Sequence, residues 1–446
     1  MKKLFKYALL LMAAAMVNTS FTACGSDDDD DKVGGSQIID PTTDDELKGI
    51  TEVYLNNVVY PIYGNLADAT EQLYNLINEL KATLKGGSKV NQSEIDAICS
   101  KYKEARDYWE KSEAFLFGAA SDFDIDPHID TWPLDLPTLA EDLKDNNKIS
   151  HLDATDGITW ARSKGNLTPE NLGFHGIEFI FFRNGKNRDV AIFNNDATEE
   201  DAAFAGLDVT GREEVIFATA VAGDLRDKCY QLEVSWLGNK AKASHIARID
   251  ECKKENADEF KTTVAKNGLS YGENLLRTTS SSTYSNWWKV LEQIFVGGCS
   301  NICAEVADQK MGQAYRAATG KPEKHEDEET GEMVEDDPNY IESPYSYNSF
   351  TDFKGNILSI QYSLYGNVGN STGSNSIMAF LTKYYPSLAG SLQSKLQAAL
   401  ASLDACQASG RAFVQDPGAS CVGSAMDAIG ELDAALNSTI NYVLKN

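Results

Sequence analysis

Apolar residues recur at helical spacing along most of this chain, and that periodicity restricts its fold more than any other feature. One early example places five residues on a single helix face: Ile50, Val53, Tyr54, Val58 and Ile62. Comparable patterns cover residues 211–237, 241–266, 284–318, 349–365, 386–408 and 422–444. Alternating patterns are scarce, and the best candidate for a strand, Val190–Phe193, is short. The sequence therefore predicts an all-α protein whose helices pack as bundles.

Residues 1–31 have the pattern of an exported protein. Three lysines, an apolar run and small residues before Cys24 predict a signal peptide at residues 1–23. Cys24 resembles the lipidated cysteine of a bacterial lipobox, and the five adjacent aspartates at 27–31 must stay solvated. Residues 24–43 are therefore predicted to be a lipidated acidic tether. We expect an outer-membrane lipoprotein that faces either the cell surface or the periplasm, and the acidic run, which resembles a surface-export signal, favours the cell surface.

Breaks in the helical pattern predict how the rest of the chain is divided. The stretch near 185–210 separates two predicted helical bundles, an N-terminal one at 44–205 and a C-terminal one at 206–446. An acidic segment at 321–346 predicts an exposed loop or hairpin within the second bundle.

Local signals predict where individual helices begin and end. Ser93 and Asp96 have the spacing of a capping box. Residues 120–167, rich in proline and aspartate, predict a long loop. Thr168 followed by proline and glutamate is a typical helix start, and that helix is predicted to end near Arg183.

The charge of the chain restricts its partners. It has 40 Lys and Arg residues against 67 Asp and Glu residues, which gives a formal net charge of −27. A surface this acidic repels nucleic acid and anionic lipid, and it attracts cations. We therefore expect no nucleic-acid partner, and we expect the lipid on Cys24 to provide the membrane attachment.

Seven cysteines follow Cys24, and they are Cys99, Cys229, Cys252, Cys299, Cys303, Cys406 and Cys421. An odd number cannot all pair within one chain, and no CxxC motif indicates a zinc site. We expect small buried cysteines with one or two bridges and at least one free thiol.

The segment NLGFHGIEFIFF at residues 171–182 contains the most distinctive candidate site. His175 and Glu178 stand three positions apart, so a helix projects both side chains from one face. Gly173 and Gly176 flank the histidine, and each glycine costs a helix about 1 kcal/mol relative to alanine. Such glycines are tolerated where another helix or a ligand approaches closely. A histidine and a carboxylate one turn apart are half of a typical metal site in helical bundles.

Three ordered blocks of the sequence resemble the imelysin family. GFHGIE at 173–178 matches the family's Gly-x-His-x-x-Glu signature. The other two blocks are YWEKSEAFLFG at 108–118, followed by DIDPHIDTWPL at 124–134, and ESPYSYNSFTDFKGNI at 342–357. The resemblance implies two packed helical-bundle domains with a site near their interface. It also implies membership of a group once called peptidases and often tied to the uptake of iron or other metals.

The resemblance also assigns residues to the site. His175 and Glu178 are the motif pair, and Glu113 and Asp130 are their expected partners in binding a divalent or ferric metal ion. The expected ligand-facing positions are Gly173, Gly176, Trp132, Glu342, Ser343, Tyr345, Ser346 and Asn348. For Trp132, ordinary burial preferences favour a place in the core.

The sequence leaves three functions open. The preferred one is an imelysin-like outer-membrane lipoprotein that binds a metal ion or metal-bearing ligand for uptake, together with partner proteins of an uptake system. A metal-dependent peptidase, with Glu178 as general base, is less favoured because Phe179 replaces the second histidine of a His-x-x-Glu-His motif. The third is a binding module for an extracellular glycan or protein, in which the His-Glu pair only holds helices together.

Overall fold

Helices form most of the regular structure, as the apolar periodicity predicts. The computed structural model describes residues 44–197, 201–204, 207–326, 331 and 333–445. The α-helices before residue 200 are α1 (Asp44–Tyr54), α2 (Tyr60–Lys85), α3 (Gln92–Glu110), α4 (Ala119–Asp122), α5 (Asp126–Ile129), α6 (Leu136–Lys144), α7 (Asn146–Leu152), α8 (Gly157–Arg162), α9 (Gly173–Phe181) and α10 (Val190–Phe193).

The second half continues the series. Its α-helices are α11 (Gly211–Leu237), α12 (Ala243–Glu255), α13 (Tyr271–Leu275), α14 (Trp287–Glu292), α15 (Asn301–Ala304), α16 (Gly312–Ala318), α17 (Ser349–Tyr365), α18 (Ile377–Tyr384), α19 (Pro386–Ala408) and α20 (Ser420–Lys445). Segments of π-helix occur at Leu55–Val59, Gln293–Ser300 and Glu305–Lys310. The all-α prediction is confirmed.

Sheet structure in the described residues is limited to two short antiparallel hairpins and one isolated bridge. Strand β1 (Phe182–Arg183) pairs with β2 (Lys186–Asn187), and β3 (Lys324–Glu326) pairs with β4 (Met333–Glu335). The second hairpin lies in the acidic segment predicted at 321–346. That segment is not exposed throughout, because Glu342 is fully buried.

Helix α11 runs through the centre of the described residues. A capping box of Thr210 and Glu213 starts it, and nearly all of its residues are buried. It packs against α2, α8, α9 and α12, so every face of the helix is covered. Helix α3 packs on α2 and α9, and α17 packs on α3 and α19. These contacts bring the end of α3, helix α9 and the start of α17 together.

Helices from both sides of the predicted boundary near residue 205 pack on one another. Helix α11 lies on α2, and α17 lies on α3. From residue 44 onward the described chain forms one compact unit. The division into bundles at 44–205 and 206–446 remains a prediction.

Several features predicted near the start of the chain lie outside the described residues. They are the signal peptide, Cys24 and the acidic tether. Among the residues that are described, none of the helices combines the length and the apolar character needed to cross a bilayer.

Some local predictions are wrong. The predicted strand Val190–Phe193 is a one-turn helix, because the Asp189 side chain caps it by accepting a hydrogen bond from the backbone of Ala191. Residues 120–167 contain helices α4 to α8 rather than a long loop. Prolines occupy the first turns of α5 and α6, where a missing N–H costs a helix little.

Two predicted helix starts are also displaced. Helix α3 begins earlier than the Ser93 pattern predicts, since the N–H of Asn91 donates to the Glu94 carboxylate over 2.8 Å. The helix predicted from Thr168 is interrupted, because Pro169–Asn171 is a 3-10 turn and Leu172 is extended. The α-helix begins only at Gly173.

The predicted disulfides are not formed. All seven cysteines in the described residues are free thiols, and six of them are buried. Burial raises the pKa of Cys99 and of Cys299 to about 12, which keeps both thiols neutral.

Candidate metal site

A group of buried ionisable side chains lies where α3, α9 and the start of α17 meet. We call it the buried charge cluster, and its members are Arg106, Glu110, Glu113, Asp130, His175, Glu178, Lys310, Glu342 and Asp352. None of these residues is more than 4% exposed. The cluster includes all four residues predicted from the sequence to bind a metal.

His175 is held at the centre of the cluster by Asp130. The Nε2 atom of His175 lies 3.0 Å from Asp130 Oδ1, and its Nδ1 lies 3.7 Å from Glu178 Oε2. The indole of Trp109 donates a hydrogen bond of 2.7 Å to the other oxygen of Asp130. Burial opposes a charged imidazole, but the contacts with Asp130 and Glu178 outweigh it and raise the pKa of His175 to about 9.

Glu178 joins α9 to the segment that precedes α17. Its Oε1 accepts hydrogen bonds from the backbone of Tyr345 (3.2 Å) and of Ser346 (2.7 Å), and from the Ser346 hydroxyl (2.6 Å). Its Oε2 is buried and has no hydrogen-bond partner among the described residues. One carboxylate oxygen of Glu178 therefore accepts hydrogen bonds from the segment before α17, and the other faces His175.

Two buried cations connect the carboxylates from different parts of the chain. Arg106 Nη2 lies 2.5 Å from Glu342 Oε1 and 2.7 Å from Glu110 Oε1, and the same guanidinium also pairs with Asp130. Lys310, the last residue of the π-helix Glu305–Lys310, places its Nζ 3.2 Å from Glu342 Oε1. The two cations therefore share Glu342.

The cluster contains more carboxylates than cations. Burial raises the pKa of Glu110 and of Glu113 well above the ordinary value, despite the nearby Arg106 and Lys310. Burial likewise raises the pKa of Asp352 to about 7. Protons or a further cation would compensate the excess of negative charge in a cluster of this composition.

The donor atoms of the cluster fit a metal ion. One set of potential ligand atoms, from Asp130, His175 and Glu342, lies within 4.8 Å of one another, and so does a second set from Glu110, Glu113 and Asp130. One oxygen each of Glu113, Glu178 and Glu342 is buried without a hydrogen-bond partner among the described residues. Imidazole with carboxylates suits iron, zinc or manganese ions.

The two glycines of the motif are explained by backbone packing. A Cβ atom at Gly173, whose φ is +60°, would lie 1.9 Å from the carbonyl oxygen of Ile129. A Cβ atom at Gly176 would lie 2.2 Å from the carbonyl oxygen of Asn171. The close approach expected at these positions is therefore made by the chain itself.

The remaining predicted residues surround the cluster. Ser343 and Asn348 both donate hydrogen bonds to Asp352, and the Tyr345 ring packs edge-on against Phe179 with centroids 4.9 Å apart. The ring of Trp132 lies 5.9 Å from that of His175 and 5.0 Å from Lys310 Nζ. Residues 342–348 thus support the cluster from the second half of the chain.

The sequence interpretation missed several members of the cluster, namely Arg106, Glu110, Lys310 and Asp352. Arg106 follows Ala105 on the buried face of α3, and a charge on an otherwise apolar helix face was a usable signal. Lys310 gave no such signal, because a π-helix changes the register that an α-helical pattern assumes.

Comparisons with known proteins agree with the family resemblance and with the fold. A family model described as imelysin matches residues 59–436. Iron-regulated protein A of Synechococcus elongatus is 27% identical over 124 residues, which are 28% of this chain and only 29% of that protein.

Two crystal structures share the fold. One, named as an iron-regulated protein A precursor from Parabacteroides distasonis, has a TM-score of 0.68 and 22% identity, and the match covers 90% of this chain and 96% of that chain. The other, an imelysin-like protein from Psychrobacter arcticum, has a TM-score of 0.52 and 14% identity, covering 89% and 95%. With the family model matching most of its length, this chain belongs to the imelysin family.

Proposed function

We propose that this protein is an outer-membrane lipoprotein that binds a metal ion, preferably iron, at the buried charge cluster and acts in metal uptake. One observation carries the proposal. Three buried carboxylate oxygens, of Glu113, Glu178 and Glu342, have no hydrogen-bond partner among the described residues. Leaving such groups unsatisfied costs about 1–3 kcal/mol each, and more when they are charged. A cation bound at the cluster would offset part of that cost for the oxygens that it reaches.

The residues around His175 have distinct parts in this proposal. Asp130, His175 and Glu342 are the first candidates to hold the ion, because their donor atoms already lie close together. Glu178 faces the other ring nitrogen and would orient the imidazole. The bound ion would supply the positive charge that the excess of carboxylates lacks. The name of the Synechococcus relative supports iron as the ion.

Elemental analysis and thermal melts test the metal site. Protein purified without chelator should contain metal, and added Fe, Zn or Cu ions should raise the wild-type melting midpoint by mass action. The His175→Ala variant should lose the metal bound at the cluster and the part of the midpoint shift that this metal causes. The control is His151→Ala, since His151 is stacked on Trp160 away from the cluster. Wild-type melts that no ion shifts would contradict the proposal.

The same melts examine the purely structural alternative. His175 and Glu178 join separate segments through Asp130 and Ser346, which favours a contribution to packing. If packing is their whole function, His175→Ala should lower the melting midpoint. Metal bound at the cluster should then make no contribution to the wild-type midpoint.

A peptidase is less favoured by the burial of these residues. Glu178 and Glu342 have no exposed surface, so a polypeptide substrate cannot reach them in this conformation. A metal-dependent cleavage activity that Glu178→Gln abolishes, with metal still bound, would reverse this preference.

Membrane attachment rests on the sequence of residues 1–31. The Cys24→Ala variant should be unlipidated and should leave the membrane fraction. If it still fractionates with the outer membrane, the lipoprotein part of the proposal is wrong. Neutral residues in place of the aspartates at 27–31 should keep the lipid and reduce protease access on whole cells.

A further inference from the structure

His245, in the first turn of α12, is a fully buried histidine, and one of its ring nitrogens has no hydrogen-bond partner among the described residues. Its Nδ1 contacts a carboxylate oxygen of Glu233 on α11. Its ring stacks on Tyr230, with centroids 3.7 Å apart. Both contacts fix the orientation of the imidazole. The Nε2 atom has no hydrogen-bond partner among the described residues, although burial makes such an atom costly.

The free nitrogen is directed at two carboxylates on α2. His245 Nε2 lies 3.8 Å from Asp68 Oδ1 and 3.6 Å from Glu71 Oε2. Both distances are too long for hydrogen bonds. They are close to the separation of roughly 3.4 Å between two ligands of a tetrahedral ion with bonds of about 2.1 Å. One potential ligand atom from each of the three residues also lies within 4.8 Å of the other two, so the group is spaced like the ligands of one ion.

The surroundings suit an ion that arrives from solvent. Asp68 and Glu71 stand three apart on one face of α2, with side chains 46% and 32% exposed. A histidine with two carboxylates leaves a fourth position open for water. Glu233, behind Nδ1, completes the carboxylate–histidine arrangement that commonly orients a metal-binding imidazole.

Lys242 neutralises the two carboxylates in this conformation. Its Nζ lies 2.7 Å from Asp68 Oδ1 and 2.9 Å from Glu71 Oε2. The side chain is 45% exposed, so its flexible stem can move into solvent when another cation binds. Lys242 is therefore positioned to compete with an ion for the same oxygens.

We infer that Asp68, Glu71 and His245 form a second, solvent-accessible metal site for a divalent ion such as Zn²⁺ or Co²⁺. The site lies between α2 and α12 and shares no residue with the buried charge cluster. It therefore goes beyond the proposed function, and it can be tested independently of that function.

Titration of the full chain with Co²⁺ or Zn²⁺ tests this site. In the His175→Ala variant, one equivalent should still bind, and adding His245→Ala should abolish it. Glu233→Gln should weaken that binding by about 10–100-fold, the usual effect of removing a group that orients a ligand. The His151→Ala variant should behave as wild type. Binding that survives the loss of His245, or the absence of any bound ion in the His175→Ala variant, would overturn the inference.

Two further variants separate a metal site from an ion-pair network. Lys242→Ala removes the competing ammonium and should tighten Co²⁺ binding, whereas a purely structural network gives no tightening. Because His245 is buried, its loss could also impair folding. The Asp68→Asn, Glu71→Gln double variant changes only partly exposed side chains, and in wild-type background it should lower the Zn²⁺ stoichiometry by one. Unchanged stoichiometry in this variant would also refute the site.

Discussion

Arg106 holds together carboxylates that are far apart in the sequence. Its guanidinium reaches Glu110 in its own helix, Asp130 after α5, and Glu342 before α17. The Cζ atom of Arg106 also lies 5.1 Å from the centre of the Phe174 ring. A planar fork of five donors can make all these contacts at once, and a lysine ammonium cannot. Removing it would leave buried negative charge without compensation.

We predict that Arg106→Gln lowers the free energy of unfolding by about 3–5 kcal/mol, the usual cost of breaking a buried ion pair from one side. Urea denaturation of the metal-free protein measures it. The matched control is Arg411→Gln, because Arg411 also pairs with an aspartate but is 68% exposed. That change should cost less than about 1 kcal/mol. If both variants lost the same free energy of unfolding, burial would not explain the effect of Arg106.

His175 should make the stability of the metal-free protein depend on pH. Its folded-state pKa is raised to about 9, against about 6.5 in an unfolded chain. The folded state therefore binds the proton more tightly. The resulting stabilisation is complete below about pH 6.5 and is lost as the pH rises through about 9, by up to 1.4 kcal/mol per unit. Wild type is compared with His175→Gln, because the difference between them removes the pH dependence that both proteins share. Relative to this variant, wild type should become less stable as the pH rises over that range. A constant difference would refute this assignment.

Helix α9 shows which features of a helix its own sequence predicts and which depend on contacts with distant residues. The motif correctly predicted a helix carrying His175 and Glu178 on one side. It did not predict that the helix begins at Gly173. The carbonyl of Ile129 packs against Gly173 there, and this contact comes from a separate part of the chain. The strand predicted at Val190–Phe193 was wrong for a related reason. A short apolar run fits either a strand or a helix, and here the capping side chain of Asp189 favours the helix. Lys310 was missed because its π-helix breaks the assumed period.

Substitution of the motif glycines tests the packing of α9. Gly176→Ala should lower the free energy of unfolding by about 1–3 kcal/mol, since a methyl group there collides with a backbone carbonyl. The control is Gly390→Ala in α19, where an added Cβ has no described atom within 4 Å. That change should stabilise the protein by up to about 1 kcal/mol through helix propensity. Thermal or urea denaturation of both variants gives the comparison, and a neutral Gly176→Ala would contradict the close contact.

The two halves of the chain pack against each other. Helix α11 buries the faces of α2 and α9, although it lies beyond the predicted boundary. Periodicity predicted nearly the full length of α11, α17, α19 and α20, because long amphipathic or apolar helices carry their own signal. It did not predict which helices touch, because that depends on contacts between residues hundreds of positions apart.

We expect the first half of the chain to need the second in order to fold. A fragment of residues 44–205 lacks α11 and would expose the apolar surfaces that this helix covers. It should aggregate or lack a cooperative melting transition by circular dichroism, whereas residues 44–446 should melt cooperatively. A soluble fragment with a sharp transition would instead support an autonomous N-terminal domain.

The complete burial of Glu178 and Glu342 has a kinetic consequence. An ion among these side chains can exchange with solvent only when the structure opens, for example where residues 342–348 contact Glu178. The exchange rate would then be set by the free energy of that local opening rather than by affinity alone. If the cluster binds an ion as proposed, the protein would retain that ion through brief changes in external concentration. Release would require an event that opens this segment, such as protonation of the cluster.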